Sequence, residues 1–226
     1  MITPFKTILV LAALVLSGCA TQKIVSKQEA FPKMYDVAPL SVLVVPAINK
    51  STAADAPDLY STTIAQPLAE AGYYVMPIPL ATLMLQQEGI IDGAQLRDVS
   101  PDKFKQIFGA DAVLFVTINQ WDTNYYVTGG NVTVGAEFDL VSTESAESLW
   151  TYRNVVVINT SGNSGNLLAD IISTAITTAT TDYVPIARMV NSSVINTLPV
   201  GKYHSRHKQD GMDQSVNTAL SAKAAQ

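Results

Sequence analysis

A few side chains in this sequence have the types and spacing that chemistry would need. His204 and His207 are its only histidines, and with Asp210 and Asp213 they can be drawn as a metal site, since imidazole and carboxylate bind divalent ions. They stand in a polar stretch with nothing behind it to orient ligands, so a solvated tail is the stronger reading. The same placement argues against a Ser-His-Asp triad, whose base must sit inside the fold. Gly162-Asn-Ser-Gly165 precedes a helical region, where free amides attract anions. It has no lysine and lacks phosphate-loop spacing, and it reads as an ordinary connection. Glu70 and Asp111 lie near strand starts, but no spacing pairs them as acid and base. Trp121, Tyr125, Tyr126, Trp150 and Tyr152 read as cross-strand packing in preference to a ligand site. No catalytic residue, metal ligand or cofactor-binding residue is expected, and the chain reads as a non-enzyme.

Cys19 is the remaining candidate and the only cysteine among 226 residues. Before it come a short n-region with Lys6 and an apolar run from Ile8 to Leu16, the layout of an export signal. That run is too short to span a bilayer, which takes about 20 residues. Leu16-Ser17-Gly18-Cys19 resembles the bacterial lipobox, in which the thiol receives a diacylglyceryl group and the signal is cut before the cysteine. A lone cysteine suits this reading, because a spare thiol is a hazard in an oxidising compartment. One acyl chain binds a membrane only marginally, whereas the two or three palmitate-type chains expected on Cys19 give firm attachment. Ala20, where an aspartate would retain a lipoprotein in the inner membrane, points to the outer membrane and its periplasmic face.

Charge narrows the partners. The net charge is −5, and loss of the signal removes Lys6. A mildly acidic chain without a Lys/Arg block is not expected to bind nucleic acid, nor does it carry a polybasic segment for anionic lipid. With 48% hydrophobic residues there is material for a sizeable core.

The elements around these residues suggest an α/β domain with a mixed sheet flanked by helices. Leu40–Val45 is an apolar, β-branched run ended by Pro46, a strand buried on both faces. Leu59–Ala71 has helical spacing and stops at Gly72, and Tyr73–Pro77 follows as a second, parallel strand. Leu80–Gln87 is a short helix closed by Gly89; Ser100 and Pro101 open another, which Gly109 stops. Ala112–Ile118 is again a strand. Asp122–Asn124 and Thr128–Asn131 read as turns, while Val132–Leu140 and Leu149–Ile158 alternate as antiparallel strands. A helical region from Leu167 to Thr197 is interrupted near Pro185 and carries an uncharged Ser/Thr face from Ser173 to Thr181, to which a second copy could pack. The expected organisation is a signal over 1–18, a lipidated tether over 19–38, the α/β domain over 39–199 and a polar, disordered tail over 200–226.

Four sequence words occur in order: Pro67-Leu-Ala-Glu-Ala-Gly-Tyr-Tyr-Val-Met-Pro77, Phe108-Gly-Ala-Asp-Ala-Val-Leu114, Leu149-Trp150 and Tyr183-Val-Pro-Ile-Ala-Arg188. Together with Pro46, Asn49 and Ser51 they resemble a family of bacterial lipoproteins of unknown function typified by a meningococcal lipoprotein antigen, over roughly residues 38–200. The resemblance implies a sandwich similar to the TolB amino-terminal domain and to the curli secretion lipoprotein, and implies no activity. The expected role is a non-catalytic component of an envelope assembly or secretion complex. Its partners would be other envelope proteins, a curli-type lipoprotein among them. The competing expectation is a regulator of a peptidoglycan synthase.

Overall fold

The computed structural model describes residues 25–126, 129–159 and 183–215. Along the chain come β1 (Val25–Ser26), α1 (Lys27–Ala30), α2 (Pro32–Val37), β2 (Ser41–Val44), β3 (Ile48–Asn49), α3 (Ala56–Glu70) and β4 (Tyr74–Val75). There follow α4 (Ile78–Gln87), a 3-10 turn (Gly93–Leu96), α5 (Pro101–Phe108), β5 (Ala112–Tyr126), β6 (Gly129–Ser142), β7 (Ser148–Asn159), α6 (Val184–Ile195) and β8 (Gln214–Ser215). Cys19, the Gly162–Gly165 loop and the Ser/Thr face over 173–181 lie outside the described residues.

All four residues of β2 are buried. Alternation sends Val42 and Val44 into one core and Leu43 and Val45 into a second on the other face of the sheet. Such a strand needs a neighbour on each edge and a cover on each face. β4 and β5 flank it, both parallel, and β5, β6 and β7 continue as an antiparallel meander, giving the order β4-β2-β5-β6-β7 with β3 also paired to β5. The sheet is mixed, as the sequence predicts.

One cover is α3 with α6. Tyr60, Ile64 and Leu68, four residues apart on α3, enter the first core beside Ile186, Val190 and Val194 of α6. Asn191 joins the two helices, its side-chain amide donating to the Tyr60 carbonyl at 3.3 Å and the Thr63 hydroxyl at 2.8 Å. The other cover is α4 with α5, whose Ala81, Leu85 and Phe104 fill the second core against Phe115. The helix stops are the expected ones, with Gly72 at φ +89° after α3 and Gly109 at φ +69° after α5. On β6, Val132, Val134, Phe138 and Leu140 are buried while Glu137 and Asp139 are partly exposed, so that strand has one wet face as expected.

Two expectations need correction. Asp122–Asn124 is not a turn, since these residues pair with Thr133, Val132 and Asn131 inside β5. β6 offers a continuous ladder there, and beyond Ile118 no described strand pairs with the other side of β5, so polar residues are accommodated. Near Pro185, where the sequence predicts an interruption, α6 begins: the proline sits in its first turn, where the missing N–H costs nothing, and the predicted helical stretch before Tyr183 lies outside the described residues.

The second correction concerns the chain ends: residues 25–37 are not tether and residues 200–215 are not a disordered tail. β1 pairs antiparallel with β8, Val25 opposite Ser215. Gly201 and Gly72 meet face to face where the carboxy-terminal segment crosses the end of α3. A Cβ on Gly201 would lie 2.4 Å from the Gly72 carbonyl oxygen, so only glycine allows the approach. Tyr73 donates its hydroxyl to the Pro199 carbonyl at 2.5 Å.

The junction closes on a buried charge pair. Lys27 donates its ammonium to the Asn196 carbonyl (3.1 Å), the Leu198 carbonyl (2.9 Å) and the fully buried Asp210 carboxylate (3.5 Å). Asp210 also accepts from the Val200 amide (2.9 Å) and the Tyr35 hydroxyl (3.2 Å). Tyr35 stays a donor, because burial and then the Asp210 charge hold its phenol far above the usual range. Removing one partner of such a pair costs about 3–5 kcal/mol, since the other charge is left buried alone. Asp210→Ala is therefore expected to lower the unfolding free energy in urea by about 3 kcal/mol, and Lys27→Met added to Asp210→Leu should recover much of that loss. A single Asp210→Ala change without effect on the urea midpoint would contradict the assignment.

Candidate functional site

The residues singled out in the sequence do not converge. His204 accepts from the Arg206 amide on Nδ1 (3.1 Å), and His207 Nδ1 faces the Val200 carbonyl at 3.4 Å. Asp210 is committed to Lys27, and Asp213 to the Arg206 guanidinium at 2.8 Å. Among the described residues no group of three or more His, Cys, Asp or Glu is placed to hold a metal. Trp150 and Tyr152 stack in the first core with Phe138 edge-on to Tyr152, and Trp121 is buried in the same cluster. Glu70 accepts from the Gln66 amide on its own helix.

Asp111 holds the central strands together. One carboxylate oxygen accepts from the Leu40 and Ser41 amides and the Ser41 hydroxyl, at 3.0–3.1 Å, and the other pairs with Lys105 at 2.5 Å. It fixes the start of β2 against that of β5. Burial pushes its pKa up, but hydrogen bonds from Lys105, Ser41 and Leu40 outweigh that and hold it below the usual carboxylate value.

The feature not foreseen from the sequence is a groove at the open edge of the sheet. Among the described residues no strand pairs with the outer side of β4. Tyr74 and Met76 donate inward to the Leu40 and Val42 carbonyls, which turns the Val75 amide and carbonyl outward. Beside this edge, α3 and α4 enclose a cavity of about 710 Å³ floored by Val75 and Met76 and walled by Ser61, Thr62, Ile78 and Leu83. Among the described residues, no Asp, Glu, Lys, Arg, His or Cys lines it. Ser61 and Thr62 donate their hydroxyls to the Asp58 carbonyl of their own helix, so neither is set up as a nucleophile. A sequence signal for this surface exists: Ile78-Pro-Leu-Ala-Thr-Leu-Met-Leu85 is apolar around the whole helix, and Leu80 and Leu83 are both more than half exposed. Such a groove can bind an apolar surface or an extended segment, and it contains no acid or base.

The Asp111 arrangement predicts a pH dependence. A carboxylate with a lowered folded pKa adds stability that is present above its unfolded value and is lost as pH falls through the folded one. Stability should thus decline below about pH 4, and Asp111→Asn should flatten that decline while costing about 2 kcal/mol at neutral pH. Urea midpoints measured across that range test it, and parallel curves for the two proteins would refute it.

With this geometry in hand, known proteins can be compared. Residues 30–214 match the family described as "Putative lipoprotein GNA1162-like", a span that takes in most of the folded carboxy-terminal segment. "Putative lipoprotein NMB1124/NMB1162" of Neisseria meningitidis serogroup B is 33% identical over 170 residues, covering 73% of this chain and 76% of that protein. The crystal structure of lipoprotein GNA1162 from Neisseria meningitidis superposes with a TM-score of 0.50 at 36% identity, over 61% of this chain and 95% of that one. The mixed sheet flanked by helices is the fold they share, and this chain belongs to the GNA1162-like lipoprotein family.

Proposed function

We propose that this protein is a non-catalytic lipoprotein, held in the outer membrane by acyl chains on Cys19 and facing the periplasm, where it binds other proteins as a component of an envelope assembly or secretion complex. The observation that carries the reading is the groove beside β4, about 710 Å³ in volume and lined, among the described residues, by no ionisable side chain. A groove of that kind offers apolar contact and an unpaired strand edge, which is what a partner segment uses, and no group that could transfer a proton. Membership of a lipoprotein family and the Leu16–Cys19 motif support the anchor.

Val25, the first of the described residues, stands six residues after Cys19. Six residues span at most about 21 Å, against about 70 Å for a tether running to residue 38. The shorter reach favours a partner near the membrane over a cell-wall synthase regulator that must extend toward a distant target.

Two experiments test this. Cys19→Ser should move the protein out of the outer-membrane fraction while leaving its circular dichroism unchanged. Retention in that fraction at wild-type levels would refute lipid anchoring. A photocrosslinking residue at Leu83 should yield discrete higher-mass protein adducts in living cells, and one at Ile107, equally exposed but on α5, should not. Equal yields from both positions would remove the groove from consideration.

A further inference from the structure

We infer that residues 202–212 form a second functional surface, one that docks on the anionic phospholipid headgroups of the membrane holding the anchor. The inference rests on the acylation of Cys19 proposed above and adds an orientation to it.

The first observation is where the anchored end joins the fold. The Lys27 amide donates to the Asp213 carbonyl at 2.9 Å and the Gln28 amide to the Gly211 carbonyl at 3.0 Å, directly after β1. Met212 lies between those two bonded residues and is 85% exposed, a large apolar side chain presented to solvent at the root of the tether. Its loop is packed closely: a Cβ on Gly211 would sit 2.8 Å from the Gln28 side-chain oxygen. Met212 is thus held out on a fixed support.

The second observation is charge. In a chain of net charge −5, the run Lys202-Tyr-His-Ser-Arg-His-Lys208 carries three cations and no acid. Arg206 is paired with Asp213, and Asp210 is neutralised inside by Lys27. Lys202 and Lys208 are exposed and make no ion pair among the described residues. The acids nearest in sequence to the residues that support this run are Glu29, next to Gln28, and Glu70, two residues before Gly72, and Asp213 follows the run itself. Tyr203, 67% exposed, completes it and is fixed by its amide to the Gly72 carbonyl at 3.0 Å. Lysine, tyrosine and methionine are side chains that settle at a membrane interface, with cations at the headgroups and apolar parts below them.

The third observation is reach, and it selects the occupant. At most about 21 Å of chain separates Cys19 from Val25, so the pole bearing β1, β8 and Met212 stays within that distance of the bilayer. Contact that would be too weak alone is favoured there, because the acyl chains already supply the encounter at high effective concentration. The sequence shows no polybasic block. It is the fold that brings the basic run of an acidic chain to the anchored pole.

Acylation makes the test clean, since it consumes the only native thiol. Met212→Cys then carries the one site for a polarity-sensitive fluorophore. Ile91→Cys is the control: Ile91 is 76% exposed and precedes the turn where Gly93 packs on Pro46, past the far end of β2, whereas residues 201–204 cover Gly72 ahead of β4. Purified acylated protein is inserted into vesicles of phosphatidylethanolamine and phosphatidylglycerol containing a headgroup-region nitroxide lipid quencher. The label at 212 should shift to the blue and be quenched, and the label at 91 should do neither. Lys202→Glu with Lys208→Glu should reduce quenching at 212 by about threefold or more while the vesicle-bound fraction is unchanged. Equal solvent exposure at 212 and 91 in protein that stays bound would overturn the docking surface and leave the anchor standing. Loss of the protein from the vesicles would overturn both. Quenching at 212 indifferent to the two lysine substitutions would remove the headgroup-charge mechanism.

Discussion

The interaction on which the arrangement of this molecule depends is the buried contact between Lys27 and Asp210. An ammonium taken out of water is costly unless its donors are used, and Lys27 uses them on two carbonyls at the end of α6 and on a carboxylate. The carbonyls that follow a helix carry partial negative charge, so a cation is favoured there before Asp210 is counted. Asp210 in turn takes hydrogen bonds from Val200 and Tyr35. One side chain from the start of the folded chain and one from its end thereby fix α2, the end of α6 and the carboxy-terminal segment together. A pair of apolar residues could have filled the space. What the charges add is a penalty on displacement, because sliding either segment would leave Lys27 or Asp210 buried without its partner.

The sheet has two characters, and each suits its surroundings. On the parallel side, β4, β2 and the start of β5 are covered by α3 and α6 on one face and by α4 and α5 on the other. On the antiparallel side, β6 and β7 keep an exposed face, where Arg153 pairs with Glu137 at 2.8 Å across the strands and Val155 and Val157 also reach solvent. An open edge on the parallel side is a hazard for aggregation, and it is limited here in two ways: β4 is two residues long, and two helices recess it. Those features leave room for one partner segment and discourage stacking of many.

Much of this could be read from the sequence. The doubly buried β2, the β-α-β unit whose helix stops at Gly72, the stops at Gly89 and Gly109 and the alternation of β6 all follow from local periodicity and glycine chemistry. What escaped depends on distance in the chain. A polar stretch such as 200–215 looks solvated when read locally, and its partners Lys27, Tyr35 and Gly72 lie more than 120 residues away. Asp122–Asn124 has turn composition, but a paired strand overrides it. The groove was hidden because a helix apolar all round, as α4 is, reads as buried on every side until the open edge shows that part of its surface has nothing to cover it.

The two surfaces are joined by one short connection, and this bears on how they could work. Gly72, on which the carboxy-terminal segment rests, is followed within three residues by Val75 at the floor of the groove. β4 begins at this pole and runs away from it, parallel to β2. A domain held to the bilayer at Met212 would therefore direct that edge outward, with the groove open to the periplasm and not pressed on lipid. The chemistry of the two surfaces agrees with that division. Cations are suited to headgroups and cost little to keep hydrated. An uncharged groove can shed its water for a protein partner without stranding a charge.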